Sequence, residues 1–150
     1  MSKIHWSLLK FEELSLSDCY ALLQLRSAIF VVEQQCVYLD MDNKDQQAWH
    51  LLGKINGQLV AYTRLLPAGL AYDHCSISRV VTAATHRRTG AGKLLMAESI
   101  LSCEKLFGKG PIEIGAQLYL EKFYQSFGFN RAGEIYLEDG IEHIHMIRTA

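Results

Sequence analysis

The sequence lacks the features that mark several large classes of protein. No apolar run approaches the roughly 18 residues that a membrane-spanning helix requires, and the first residues hold no apolar signal-peptide core. Only two of the 150 residues are proline and 49% are hydrophobic, which excludes long disordered stretches. The composition predicts a cytoplasmic globular protein without a membrane partner, folded as one domain over residues 1–150.

The cysteines and the basic residues are too scattered to indicate a function. The four cysteines lie far apart and form no Cys-x-x-Cys pair, which disfavours a zinc or redox motif. The formal net charge is −1, so the chain lacks the clustered basic surface that nucleic acid requires. The basic residues that do cluster, Arg87 and Arg88, suit a small anion. No nucleic-acid partner and no metal are expected.

The chain does contain a strand pattern, a basic glycine turn and an amphipathic helix in direct succession. The strand pattern ends at Thr82, and the turn Arg87-Arg-Thr-Gly-Ala-Gly92 opens the helix. A helix start carries unpaired N–H donors and the positive end of the helix dipole, and glycine lets an anion come close. The spacing matches neither the nucleotide-hydrolase phosphate loop nor the dinucleotide fingerprint. The turn is therefore interpreted as a pyrophosphate cradle.

A second segment follows about thirty residues later. Residues 112–117 form a short apolar strand pattern, and the next residues contain Phe123-Tyr-Gln-Ser-Phe-Gly-Phe129. Arg-x-x-Gly-x-Gly after a strand, followed by strand, short helix and Phe-Tyr-x-x-x-Gly-Phe, resembles the GNAT superfamily of N-acetyltransferases. Arg26, Phe30-Val-Val-Glu-Gln34, the acidic run Asp40 to Asp45, Tyr62-Thr-Arg64 and Asp139-Gly-Ile-Glu-His143 resemble its ElaA-type branch. The resemblance covers nearly the whole chain.

The order of elements agrees with an α+β fold. Strands are predicted at 4–9, 48–55, 58–66, 75–82 and 112–117, with two more around Asp139-Gly140; helices are predicted at 16–31, 90–107 and 119–127. Tyr20, Leu23, Ser27 and Phe30 are the predicted core stripe of the first helix. The resemblance implies the GNAT (acyl-CoA N-acyltransferase) fold: a mixed, mostly antiparallel sheet with flanking helices, in which the parallel strands at 75–82 and 112–117 splay apart.

The resemblance also implies acetyl-CoA as co-substrate. Its pantetheine arm would lie between the splayed strands and pair with the free backbone of Val80 to Thr82, with the pyrophosphate at the glycine turn. Gln117 takes a place where many relatives carry Asn. The residues expected to contact acetyl-CoA are Val80, Val81, Thr82, Arg87, Arg88, Thr89, Gly90, Ala91, Gly92, Lys93 and Gln117.

The catalytic residues expected are Tyr124 and Glu33. Tyr124 stands where family members place the acid that protonates the departing thiolate, and a phenol is protonated at neutral pH. Glu33 is the first choice for the base that deprotonates the amine; the alternative is that it pairs with an arginine. Glu113 is a second choice, and His143 is another, since imidazole titrates near neutral pH.

Arg64, Arg79 and His143 are assigned to the acceptor site. The two arginines lie on strands that should be neighbours, where a charge is costly unless it is paired. They either pair internally, with Glu33 and the acidic group Asp40, Asp42 and Asp45, or bind a carboxylate on the acceptor. His143 would line the pocket, and its alternation with His145 favours two wall residues over a metal site.

The function predicted is transfer of an acetyl group from coenzyme A to an amine of a small molecule or peptide, by direct attack in a ternary complex. Two alternatives stay open: a module that binds or senses acyl-CoA without turnover, and an acyltransferase like the acyl-homoserine-lactone synthases. Dimers are common in the superfamily, so a homodimer is an open alternative to a monomer.

Overall fold

The computed structural model describes residues 3–149, so Met1, Ser2 and Ala150, the ends of the predicted domain, lie outside the described residues. The strands are β1 (His5–Lys10), β2 (Trp49–Ile55), β3 (Gln58–Leu66), β4 (Cys75–Thr82), β5 (Ile112–Gln117), β6 (Phe129–Glu138) and β7 (Ile141–Arg148), and the α-helices are α1 (Leu16–Arg26), α2 (Ala91–Phe107) and α3 (Glu121–Gln125). The strands form one sheet in the order β1-β2-β3-β4-β5-β7-β6. This mixed sheet confirms the predicted α+β class.

Both predicted hairpin turns are present. Asn56 and Gly57 have φ values of 51° and 78°, and Asp139 and Gly140 have values of 51° and 79°. Two consecutive positive φ angles give the turn whose twist matches the twist of paired strands, and Asn-Gly and Asp-Gly tolerate it best. The turns therefore set the pairing of β2 with β3 and of β6 with β7.

The sheet is interrupted between β4 and β5. Every other neighbouring pair of strands is antiparallel, whereas these two are parallel and pair only at Cys75 with Ile112 and at Ser76 with Glu113. Beyond Ser76 the strands separate, as the resemblance implied. The backbone of β4 from Ile77 to Thr82 consequently has no strand partner on the β5 side, and a gap passes through the sheet.

The first helix differs in part from the prediction. It begins at Leu16, and the hydroxyl of the preceding Ser15 caps it by accepting a hydrogen bond from the Asp18 N–H at 3.0 Å. The α-helix ends at Arg26, and a wider π-helical segment continues it over Ser27–Glu33. The predicted core stripe is wrong for Tyr20, which is 72% exposed, and for Ser27, which is also exposed, because the buried stripe of α1 runs through Leu22 and Arg26.

The helices cover the two faces of the sheet. On one face, α1 packs through Leu22 on Tyr62 and Val81. On the other face, α2 and α3 pack on the strands through side chains that include Met96 and Tyr124. The gap between β4 and β5 therefore connects the α1 side of the sheet with the α3 side. Within residues 3–149, no helix is long and apolar enough to cross a membrane.

Candidate active site

The glycine turn has the geometry of an anion site. Arg88 and Gly90 adopt positive φ angles of 61° and 86°, and α2 begins at the next residue. The Thr89 hydroxyl accepts a hydrogen bond from the Ala91 N–H at 3.3 Å. The N–H groups of the following two residues belong to the first turn of α2, where no helical carbonyl can accept them. They stay available to a ligand.

Open space surrounds this turn. A Cβ atom added at Gly92 would meet no atom within 4 Å, and Gly92 lines the large cavity described below. The side chains of Arg88 and Lys93 are exposed at the same turn. The turn thus combines free N–H donors, two cations and unobstructed access, which together fit a pyrophosphate group.

Two predicted site residues contact each other at this turn. The Arg87 guanidinium pairs with the Glu33 carboxylate, and both side chains are more than one-third exposed. The hydrogen bond from Arg87 lowers the pKa of Glu33. A carboxylate with a lowered pKa is a weaker proton acceptor, so this pairing opposes the role of general base. It corresponds to the alternative in which Glu33 pairs with an arginine.

One cavity of about 850 Å³ connects the turn to the far end of the sheet. It passes through the gap between β4 and β5, where Val80, Val81 and Thr82 line it. Arg79 has a φ of 54°, and the β3–β4 register shifts beside it, so β4 contains a bulge at this point. The bulge and the missing partner strand leave backbone groups of β4 available to a thioester or a pantetheine chain.

Tyr124 lines this cavity from the α3 side. Its side chain is 5% exposed and packs edge-on against Phe123 and Phe129. Burial raises the pKa of the Tyr124 phenol, with a smaller contribution from Tyr119. The hydroxyl therefore carries its proton at neutral pH, in the state that a proton donor needs.

Gln117 reaches the cavity from the end of β5. Its amide nitrogen donates a hydrogen bond to the Gln34 side-chain oxygen at 3.2 Å. The contact ties β5 to the residue that follows the π-helical segment. Gln117 therefore braces one wall of the gap, on the α1 side of the sheet.

A closed ring of alternating charges borders the cavity on the α1 side. Successive nitrogen and oxygen atoms around the ring are 2.7–3.4 Å apart. In order, its members are Arg26, Asp40, Arg79, Asp42, Arg64 and Asp45. We call these six residues the charge ring. It fastens the acidic segment between the π-helical segment and β2 onto α1, β3 and β4.

The charge ring supplies internal partners for both arginines that were assigned to the acceptor site. Arg64 is 2% exposed, and its guanidinium donates to Asp42, Asp45 and the Ser78 hydroxyl. Burial opposes ionisation of Asp42, but hydrogen bonds from Arg64 outweigh it and hold the pKa of that carboxyl below its usual range. Arg64 therefore has internal partners, and Glu33 is not among them. Arg79 also pairs internally, with 21% of its side chain exposed.

His143 lies in the cavity wall on the α1 side. It is 7% exposed and stands opposite Gln117 in the β5–β7 register. The Tyr136 ring stacks on it, with centroids 5.7 Å apart. Tyr38 and Tyr72 line the same part of the cavity, and sequence reasoning missed all three tyrosines because no periodicity separates such wall residues from core aromatics.

Glu113 belongs to a different cluster. Its buried carboxylate lies 2.7 Å from His74 Nδ1 and 3.2 Å from His145 Nε2, and Tyr72 stacks on the His145 ring at 5.0 Å. Glu113 and His145 do not line the cavity. His143 and His145 therefore have different surroundings although they share one face of β7. Among the described residues, no group of three or more His, Cys, Asp or Glu side chains could hold a metal ion.

The chain is similar to several known proteins. Residues 20–150 match the family model described as an acetyltransferase (GNAT) domain. The protein ElaA of Escherichia coli is 44% identical over 147 residues, which cover 97% of this chain and 96% of that protein. Its crystal structure superposes with a TM-score of 0.90 and covers 97% of this chain and 99% of that chain.

Two further solved structures are similar. An acyl-CoA N-acyltransferase from Pseudomonas aeruginosa is 38% identical, with a TM-score of 0.92 and coverage of 97% of this chain and 99% of that chain. The CoA-dependent acyl-homoserine lactone synthase BjaI is 18% identical, with a TM-score of 0.77 and coverage of 98% and 82%, and shares the fold alone. The family model, the sequence identity and the shared fold together show that this chain belongs to the GNAT superfamily, as an acyltransferase of its ElaA-like branch.

Proposed function

We propose that this protein is an acetyl-CoA-dependent N-acetyltransferase that transfers the acetyl group to an amine of a small molecule or peptide in a ternary complex. The observation that carries the proposal is the continuous cavity. It joins the anion-binding turn, the unpaired edge of β4, the buried Tyr124 hydroxyl and a polar acceptor compartment. An anionic, extended thioester substrate needs these features in this order.

The residues present fit acetyl-CoA. The free N–H groups at the start of α2, with Arg88 and Lys93 beside them, would hold the pyrophosphate. Arg87 would join them by leaving Glu33, since both side chains are more than one-third exposed. The edge of β4 at Val80 to Thr82 would pair with the amide groups of the pantetheine, as a sheet edge pairs with an added strand. Gln117 would border the same gap.

The chemistry requires a neutral amine, a donor for the oxyanion and a proton for the sulfur. An N–H of the β4 bulge near Val80 or Val81 would stabilise the oxyanion. Tyr124 would give its proton to the sulfur as the carbon–sulfur bond breaks, and its raised pKa keeps the hydroxyl protonated until that step. Glu33 stays a prediction for the base, although its pairing with Arg87 opposes it.

The acceptor would enter on the α1 side. Both arginines line the cavity, but Arg64 is 2% exposed and has internal partners, whereas 21% of the Arg79 side chain is exposed. A carboxylate-bearing amine would therefore use Arg79, and His143 would border the same compartment. A cytoplasmic location and a homodimer remain predictions.

Calorimetric titration of the purified protein with acetyl-CoA tests the proposal first. We expect one site of micromolar affinity, and then release of free thiol when acetyl-CoA is mixed with a panel of alkylamines, diamines, amino acids and lysine peptides. Binding without turnover on any amine would favour an acyl-CoA sensor. Product formation only with S-adenosylmethionine would favour lactone synthesis. No binding up to millimolar concentration would contradict the proposal.

A further inference from the structure

The transfer reaction needs a proton acceptor on the side where the amine enters. This inference rests on the proposed function, and the candidates for the base are the carboxylates and imidazoles on the α1 side of the cavity. Two of the carboxylates there are already engaged: Glu33 with Arg87, and Asp42 with Arg64 and Arg79. Both have lowered pKa values, Glu33 through its hydrogen bond from Arg87 and Asp42 through bonds that outweigh its burial. Neither is a strong candidate.

His143 has the geometry of a base. Its Nδ1 lies 2.7 Å from the Ile141 carbonyl oxygen. A carbonyl oxygen only accepts hydrogen bonds, so the proton of the neutral imidazole must be on Nδ1. The lone pair is then on Nε2. His143 lines the cavity and is 7% exposed, so its ring lies in the cavity wall and not on the open surface.

A carboxylate lies within ion-pair distance of the His143 ring. His143 Nε2 lies 3.5 Å from Glu138 Oε2, and the Glu138 side chain is 61% exposed. Once Nε2 has taken a proton, the imidazolium and this carboxylate lie at ion-pair distance. Its exposure to solvent offers that proton a route out of the cavity.

The other groups around His143 would not compete for the proton. Tyr136 of β6 covers one face of the ring, and Gln117 of β5 stands opposite with its amide bonded to Gln34. At the β6–β7 turn, the Cys36 thiol donates to the Asp139 carbonyl oxygen at 3.3 Å, and the Asp139 side chain is exposed. Glu138 is therefore the charged group that faces Nε2 at ion-pair distance.

We propose that His143 is the general base of acetyl transfer and accepts the proton of the acceptor amine at Nε2. The amine nitrogen forms a bond to the acetyl carbon and loses one proton to His143. The carbon–sulfur bond breaks, and the sulfur takes the proton of the Tyr124 hydroxyl. Base and acid thus act from opposite sides of the gap in the sheet. Afterwards His143 releases its proton to solvent past Glu138, and Tyr124 regains one.

The tautomer can be measured without any acceptor. In protein labelled with ¹⁵N-histidine, imidazole nitrogen spectra at pH 8 should show His143 with its proton on Nδ1 and a bare Nε2, the resonance being assigned by its loss in His143→Gln. A proton on Nε2 at that pH would overturn the proposal, whatever the outcome of the amine panel.

The kinetic test uses the amine of the panel that the wild-type enzyme acetylates fastest. His143→Gln should lower kcat/KM on the order of 10²- to 10⁴-fold, remove the loss of activity at acid pH, and leave acetyl-CoA affinity unchanged. Added imidazole should restore part of the activity of His143→Ala. The matched control is His145→Gln, two residues along the same strand but outside the cavity. We expect its kcat/KM to stay within threefold of the wild-type value.

The outcomes separate the two proposals. If the wild-type enzyme binds acetyl-CoA but acetylates no amine, the proposed function fails and the base has no reaction to serve. If the wild-type enzyme is active and His143→Gln keeps kcat/KM and the acid limb of the profile, His143 is not the base. Loss of acetyl-CoA binding in His143→Gln would also overturn the proposal, because it would indicate a structural role.

Discussion

The two halves of the cavity are formed by different parts of the chain, one mainly by backbone groups and the other by side chains. One half, which we call the acyl-CoA half after its proposed ligand, consists mainly of backbone: the N–H groups at the start of α2 and the unpaired edge of β4. The other, which we call the acceptor half after its proposed ligand, consists of side chains held by the charge ring and by the β6–β7 hairpin. A backbone site depends on local turn geometry and tolerates sequence change around it, whereas a side-chain site depends on ion pairs between distant segments. Mutation should therefore affect the two halves differently.

The largest effect on stability is expected in the charge ring. Asp45→Asn removes one charge from a carboxylate that pairs with both Arg26 and Arg64 and leaves a buried guanidinium undercompensated. We expect the free energy of unfolding to fall by about 3–5 kcal/mol in urea denaturation. Asp18→Asn is the matched control: Asp18 pairs with Lys54 at 2.7 Å, but both side chains are partly exposed, so the loss should be below about 1 kcal/mol.

A loss below about 1 kcal/mol in Asp45→Asn as well would mean that the ring has no greater effect than a surface ion pair. The acceptor half would then owe its shape to the apolar contacts of α1 alone, and the contrast between the two halves would disappear.

The next effect concerns catalysis at the junction of the two halves. Tyr124→Phe removes the hydroxyl while it keeps the aromatic packing against Phe123 and Phe129. Turnover should fall on the order of 10²-fold, with little change in acetyl-CoA affinity, because the thiolate loses its proton donor. Steady-state kinetics and calorimetry measure the two quantities. Tyr20→Phe, on the exposed face of α1, should leave both unchanged, and an equally active Tyr124→Phe enzyme would remove Tyr124 from the mechanism.

The same contrast explains what could be predicted from the sequence. Turns and strands depend on neighbours in the chain, so Asn56-Gly57, Asp139-Gly140 and the glycine turn that opens α2 were all placed correctly. The short motif around Tyr124 placed that residue beside the gap. These features belong to the sheet framework and to the acyl-CoA half.

The acceptor half could be predicted only in outline. The sequence offered two roles for Arg64 and Arg79, internal pairing or binding of an acceptor carboxylate. It did not show the closed ring, because Arg26 lies on a helix with no local sign of its partners 14 and 19 residues away. The predicted α1 stripe included Tyr20 for the same reason: periodicity alone cannot show that a buried arginine orients the helix. The pairing of Glu33 with Arg87 joins residues 54 positions apart.

Acid should weaken the ring. Burial opposes ionisation of Asp42 and Asp45, yet hydrogen bonds from the arginines outweigh it and lower the pKa of each carboxyl in the folded protein. An unfolded aspartate titrates near pH 4, so the stabilisation is complete above about pH 4 and is lost as the pH falls through the lower folded values. In thermal unfolding, the midpoint of the wild-type protein should therefore exceed that of Asp42→Asn by less at pH 3 than at pH 7. An equal difference at both pH values would contradict the expected direction of this pH dependence.

A pair of glycines tests the backbone half. Gly92→Ala should not destabilise the fold, because alanine favours the helix and its Cβ meets no atom within 4 Å. It should weaken acetyl-CoA binding by about tenfold, or about 1.4 kcal/mol, because that Cβ enters the cavity where the phosphates are proposed to bind. Gly90→Ala should instead cost about 1 kcal/mol of stability, since its φ is 86°. Unchanged affinity in Gly92→Ala would place the phosphates elsewhere.

The smallest effect on stability is expected where the two halves meet at the surface. Glu33→Gln breaks the exposed pair with Arg87, so the thermal midpoint should stay the same. Acetyl-CoA affinity should stay equal or rise, because Arg87 becomes free for the phosphates. Turnover decides the role of Glu33: if it only holds Arg87 in the ligand-free protein, kcat should match wild type, whereas a general base would cost about 10²-fold or more. Arg87→Gln is the partner control and should weaken acetyl-CoA binding without changing kcat. If Glu33→Gln lowers kcat and removes the acid limb of the pH profile, the base belongs to the π-helical segment and not to β7.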